Sequence, residues 1–318
     1  MTLKYDPEFK EAAGSLLTGL ETAPQIPPYD IATRRAVLPA LVEQAMGMIQ
    51  LDESISRQEF TVFSYDQALI PVYRFWDRNI SASGSALLYV HGGGFILGDV
   101  KMYDKSLRQL VKKSGVQVFS VDYRLAPESP YPTPVEDCYA ALQWLYSRAA
   151  EFSIDDARIG LMGESAGGGL VAGTVLLARG RQLAPPIAKQ ILIYPMLDDR
   201  NVDVIPGVEE LAIWKSADNL TSWHALLGDR RGTAEVSPHA APSRAKDLKD
   251  SPPTYLEVGE LDIFQEECQS YSRQLKEAGI ELEFHLHPGL PHLFDILCPN
   301  IKATNAAMEH RIRTIQQI

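Results

Sequence analysis

A serine flanked by small residues, in Gly163–Glu164–Ser165–Ala166–Gly167, is the first group in this chain suited to covalent chemistry. This G-x-S-x-G run sits between a strand-like segment, RIGLM, and a helix-length segment that begins at residue 166. A serine on so sharp a turn is held out above a sheet edge, and its glycine neighbours relieve the crowding of the bend. The helix that follows directs its N-terminus at the hydroxyl, which favours developing negative charge. A hydroxyl is a weak nucleophile at neutral pH and needs a base. Of seven histidines, His91 belongs to a glycine loop, His224 and His310 fall in helical segments, and His239 lies in a polar loop. His285 and His287 alternate on one face of a late strand, which suits packing or surface roles. His292, in PGLPHLF, follows that strand in a loop that can return to the strand ends, and it is the candidate base. An orienting acid belongs between serine and histidine in chain order when the serine sits on a strand-to-helix turn. The strand TYLEVG runs into Glu260–Leu261–Asp262. Asp262, in the loop proper, is the candidate; Glu260, at the strand end, is the rival and can equally bind backbone.

A second feature suits the same chemistry. His91–Gly92–Gly93–Gly94–Phe95 follows the apolar run SALLYV. Acyl transfer places negative charge on a former carbonyl oxygen, and backbone N–H groups stabilise it only where no β-carbon obstructs them. The N–H groups of Gly93 and Gly94 would join that of Ala166 as an oxyanion hole, each donor contributing roughly 3 kcal/mol. The run lacks the G-x-x-x-x-G-K-[ST] and G-x-G-x-x-G patterns of phosphate-binding loops. Asp198 and Asp199, with no histidine nearby, offer too few ligands for a metal centre and read as solvated or ion-paired acids. No cofactor and no metal are therefore expected.

The elements that must position these groups alternate. EFTVFSY and LIPVYRF read as consecutive strands, an antiparallel edge. After them ALLYV precedes a helix at 103–114, VQVFSVDY a helix at 133–150, and RIGLM a helix at 166–179. TYLEVG precedes a helix at 264–278, and LEFHLH one from about 300 to the end. Alternation of this kind predicts an α/β fold with a mostly parallel sheet covered on both faces. Residues 1–22 and 30–50 read as two amphipathic helices split by the proline-rich APQIPPYD. The stretch 196–235, with Trp214 and Trp223, interrupts the alternation beyond a strand's C-terminal end, where ligands bind in open α/β sheets. The expected organisation is one domain over 1–318, with a cap drawn from about 1–50 and 196–235. The two tryptophans are candidate walls of an apolar pocket.

Composition removes other classes. A net charge of −11 argues against nucleic acid and anionic membrane as partners. No segment reaches the ~18 apolar residues of a membrane span. The first residues, MTLKYDPEFKEAAG, lack the apolar stretch of a secretory signal, and Cys138, Cys268 and Cys298 are sparse and without CxxC spacing. These features lead us to expect reduced thiols and a cytoplasmic location.

HGGGF at 91–95, DYRLAPE at 122–128, GESAGG at 163–168, ELD at 260–262 and PHLF at 291–294 together resemble the hormone-sensitive lipase family of α/β-hydrolases. The resemblance runs in order from about residue 55 onward. It implies a mostly parallel eight-stranded sheet flanked by helices, a helical cap, and hydrolysis of small carboxylic esters without a cofactor. It carries the nucleophile onto Ser165, the acid onto Asp262, the base onto His292 and the oxyanion donors onto Gly93, Gly94 and Ala166. DYRLAPE would brace the loops beside the site, and a homodimer is compatible with the family. Two departures stand out: Glu164 replaces the more usual aspartate, and Asp262–Ile263–Phe264 replaces Asp-Pro-Leu. The same residues would also serve an acyltransferase or amidase. A non-catalytic ligand receptor on this scaffold is disfavoured because serine, acid and histidine all stand.

Overall fold

The strands differ in composition according to what covers them. In the computed structural model, which describes residues 3–47, 49–80 and 84–318, eight strands form one sheet among the described residues. The first two, β1 (Ile55–Phe63) and β2 (Leu69–Asp77), lie at one edge, and β1 leaves most of its residues at least partly exposed. The central strands are β3 (Ala86–Val90), β4 (Gln117–Val121), β5 (Ile159–Glu164), β6 (Lys189–Ile193) and β7 (Thr254–Gly259). Apart from half-buried Lys189, every residue in these five is buried, as a strand covered on both faces requires. The last strand, β8 (Leu282–His287), closes the other edge and is only partly buried.

The order across the sheet is β1-β2-β4-β3-β5-β6-β7-β8. β1 pairs antiparallel with β2, and β2 antiparallel with β4; the remaining pairings are parallel. The parallel strands therefore end on one side, and the loops after β3, β5, β7 and β8 meet there.

Among the described residues the N-terminal region holds three helices rather than two: α1 (Pro7–Ala12), α2 (Gly14–Thr22) and α3 (Ile31–Gly47). The helix at the N-terminus starts later than expected because Asp6 caps it, accepting from the N–H groups of Glu8 and Phe9, with Pro7 in the first turn. The crossover helices are α4 (Asp104–Ser114), α5 (Thr133–Ser147) and α6 (Ala166–Gly180). α7 (Ser216–Leu227) lies in the long connection between β6 and β7. α8 (Gln265–Glu277), the single turn α9 (Phe294–Leu297) and α10 (Lys302–Gln316) complete the chain. α4 packs on α10, and α5 on α6.

The N-terminal helices are bonded to the connection between β6 and β7. Arg34, fully buried in α3, donates from Nε to Asp218 in α7 at 2.8 Å. The N–H of Tyr29 donates to Thr221 Oγ1 at 2.9 Å, and the Tyr5 hydroxyl to the Leu211 carbonyl at 2.7 Å. No helix among the described residues is long and apolar enough to cross a membrane.

Candidate active site

Ser165 occupies the one-residue turn between β5 and α6, with φ 53° and ψ −124°. A positive φ is uncommon outside glycine and costs on the order of 1–3 kcal/mol, so its surroundings must impose it. The Ser165 N–H donates to the Ile193 carbonyl at 2.9 Å, and the Ser165 carbonyl accepts from Met196 at 2.9 Å and Gly169 at 3.2 Å. The flanking glycines have a steric cause. A β-carbon at Gly163 would lie 2.4 Å from the Gly167 carbonyl oxygen, and one at Gly167 would lie 2.2 Å from that of Val90. Neither position admits any other residue without moving backbone.

The loop after β8 brings His292 to this turn. His292 Nε2 is 2.9 Å from Ser165 Oγ, and Nδ1 is 2.6 Å from Asp262 Oδ2. The other Asp262 oxygen accepts from the Phe264 N–H at 2.9 Å, which fixes the carboxylate plane. Ser165, Asp262 and His292 are all buried. Tyr194 and Phe264 hold the imidazole edge-on from two sides, with ring centroids 4.7 and 5.1 Å away. Glu260, the rival acid, points elsewhere. Its Oε2 accepts from the Gly289 N–H at 2.8 Å, while the Glu260 and Leu261 N–H groups donate to the carbonyls of His287 and Leu290. Glu260 thus ties down the turn that leads to His292.

The glycine loop lies against the same turn. A β-carbon at Gly92 would stand 3.4 Å from that of Ser165. Gly93 has φ +120° and Gly94 φ +57°; a β-carbon on Gly93 would meet the Leu97 carbonyl oxygen at 2.0 Å. The N–H groups of Gly93, Gly94 and Ala166 donate to no acceptor among the described residues. His91 anchors the loop's start. Its Nδ1 is 2.7 Å from the Gly92 carbonyl oxygen and its ring stacks 4.3 Å from Tyr123. Burial pushes this imidazole down to about 4, so it stands neutral. The segment 122–128 supports the loop: Tyr123 donates to the His91 carbonyl, and the Ala126 N–H to that of Phe95. Above the loop, Ser222 Oγ and Trp214 Cη2 lie only 2.6 and 2.7 Å from where a β-carbon on Gly94 would be.

Comparison with known proteins agrees with this architecture. A family model described as the alpha/beta hydrolase fold matches residues 87–296. The chain is 35% identical over 220 residues to the esterase LipI of Mycobacterium tuberculosis, a match that covers 66% of each protein. It is 29% identical over 283 residues to the ethyl acetate hydrolase of Pseudomonas putida, covering 86% of this chain and 87% of that one. The solved structure of a bacterial heroin esterase superposes with a TM-score of 0.87 at 33% identity, over 99% of this chain and 98% of that one. The chain belongs to the hormone-sensitive lipase family of α/β-hydrolases.

In this α/β-hydrolase the last residue of β5, Glu164, just before Ser165, has an unusual setting. Burial and the nearby charge of Asp295 push its carboxyl up to about 7, against smaller opposing effects of the Tyr89 and Tyr103 phenols and Arg311. A raised acid favours the fold while protonated: that stability is fully present below about 4.5 and is lost as pH rises through about 7. At about 1.4 kcal/mol per pH unit, the gap corresponds to about 3 kcal/mol. Glu164→Gln, which mimics the protonated acid, should match the parent's stability at pH 5 and exceed it at pH 8.5. Thermal melts at the two pH values test this, and an equal offset at both would contradict it.

Several site neighbours escape sequence reasoning. Tyr194 and Phe264 carry no motif, although both follow the C-terminal end of a strand, and that position was the available signal. Trp214 lies over the glycine loop, whereas Trp223 is fully buried against Phe95 at 5.2 Å and is a core residue rather than a pocket wall. Asp198 and Asp199 pair with arginines, Asp198 with Arg200 and the fully buried Asp199 with Arg244.

Proposed function

We propose that this α/β-hydrolase is a serine carboxylesterase in which Ser165, His292 and Asp262 carry the chemistry. One observation supports the reading above others: an unbroken chain of two hydrogen bonds runs from Ser165 Oγ through His292 to Asp262. Relatives named esterase, carboxylesterase and ethyl acetate hydrolase support carboxylic ester hydrolysis as the reaction.

His292 takes the proton of Ser165 as its oxygen attacks the ester carbonyl. The oxyanion rests on the N–H groups of Gly93, Gly94 and Ala166, aided by the N-terminus of α6. His292 then protonates the departing alcohol, and water releases the acid by the same steps in reverse. Asp262 keeps Nδ1 protonated and stabilises the imidazolium that forms. No cofactor enters the cycle. The N-terminal helices and the 196–235 stretch form the cap in this reading, supported by the Arg34–Asp218 pair and by Trp214 over Gly94. Three buried free cysteines support a reducing, cytoplasmic setting.

A panel of p-nitrophenyl esters from acetate to dodecanoate, with matched anilides, tests the reaction type. Ester turnover in water without added metal or nucleotide, and little anilide cleavage, is expected. An amidase would cleave the anilides comparably, a transferase would need an added acceptor alcohol, and a receptor would turn over nothing.

A further inference from the structure

Three polar side chains of the edge strand β8, Glu283, His285 and His287, share one face because side chains alternate along a strand. α10 brings His310 against them. The rings of His285 and His310 stack with centroids 4.3 Å apart and 26° between their planes. One carboxylate oxygen of Glu283 and one ring nitrogen from each of these histidines all lie within 4.8 Å of one another. His310 Nδ1 is buried and has no hydrogen-bond partner among the described residues. None of the three residues hydrogen-bonds to Ser165, Asp262 or His292 among the described residues.

Two imidazoles and a carboxylate form a donor set that suits borderline divalent ions, with a fourth position left for water. Ligand bonds of ~2.0–2.2 Å place the donors of a tetrahedral ion roughly 3.3 Å apart. Binding therefore requires these three half-buried side chains to rotate, turning the stacked imidazoles toward a common point. Glu283 Oε1 lies 2.7 Å from His285 Nε2 and also pairs with Arg313. The fully buried acid on this face, Glu257, is already committed to Arg311. Arg313 is the competitor for Glu283, and metal binding must displace its half-exposed side chain toward solvent.

We propose that Glu283, His285 and His310 bind one divalent transition-metal ion, zinc being the representative, at a site separate from the hydrolytic one. Bound there, the ion ties β8 to α10 and stabilises the edge of the sheet that leads into the His292 loop. It takes no part in ester cleavage.

The test is a calorimetric titration of the full chain, first stripped with a chelator, with zinc chloride at pH 7.5. One equivalent should bind, and the melting temperature should rise with zinc concentration. Glu283→Gln, on the accessible edge, and His310→Gln should each weaken binding by at least about tenfold, the scale seen when support for a metal ligand is lost. His239→Gln, outside the cluster, should bind as the parent does. Circular dichroism establishes that each variant is folded. No stoichiometric uptake by the parent would overturn the proposal. So would equal uptake by folded Glu283→Gln, because a purely polar network of these residues has no use for the ion.

Discussion

Ser165→Ala should lower kcat for ester hydrolysis by about 10⁶-fold, the scale at which removing a serine nucleophile disables such an enzyme. The fold should be unchanged. The substitution deletes one oxygen whose hydrogen bond is to His292, and alanine meets the same backbone strain at φ 53° that serine does. A residual rate above that of water is expected, because the N–H groups of Gly93, Gly94 and Ala166 and the binding surface remain. Initial rates on p-nitrophenyl acetate, with circular dichroism as the control for folding, measure the effect. Turnover within tenfold of the parent by a folded Ser165→Ala protein would contradict the mechanism.

Asp262→Asn should lower kcat by about 10⁴-fold, as the corresponding change does in serine proteases. The cause is the tautomer. Asp262 Oδ2 sits 2.6 Å from His292 Nδ1 and accepts a hydrogen bond from its N–H in the productive tautomer, which leaves the Nε2 lone pair facing Ser165. An asparagine whose amide faces Nδ1 reverses this and directs an N–H at the serine, where a base is needed. Glu260→Gln provides the comparison. Glu260 accepts from the Gly289 N–H, and the carbonyl of glutamine can accept the same bond, so a loss of less than about tenfold is expected. A crippled Glu260→Gln beside a near-normal Asp262→Asn would reverse the assignment.

How much of this is legible in the sequence depends on the distance over which the information is carried. The turn at Ser165 is local: strand, glycines and helix follow one another, and Gly163 and Gly167 can be explained by contacts with neighbouring backbone. The alternation of apolar runs with helical segments likewise predicts the parallel core, because buried strands and amphipathic helices have different periods. Asp262 is favoured over Glu260 by its place in the loop and by the family resemblance, but the contact that separates them is not legible in the pattern. Two residues apart at a strand end, they part only because one faces His292 and the other the turn at Gly289. Tyr194 and Trp214 reach the site from segments far from Asp262 and His292 in the chain, and beyond the strand-end position of Tyr194 and Phe264 no spacing rule reports such meetings. Glu164 is visible as a departure from the usual aspartate, but its raised carboxyl follows from burial and from the nearby charge of Asp295, which exist only in the folded chain. The same holds for His285, whose alternation with His287 suggests a surface or packing role; only α10 sets His310 beside it.

The central claim, that an activated Ser165 is the nucleophile, is tested most directly by mass spectrometry after reaction with a fluorophosphonate. The account predicts one adduct per chain, mapped to the peptide that holds Ser165, formed in step with loss of esterase activity. Ser165→Ala should remain unlabelled. An adduct mapped to another residue, or full loss of activity with Ser165 unmodified, would contradict it.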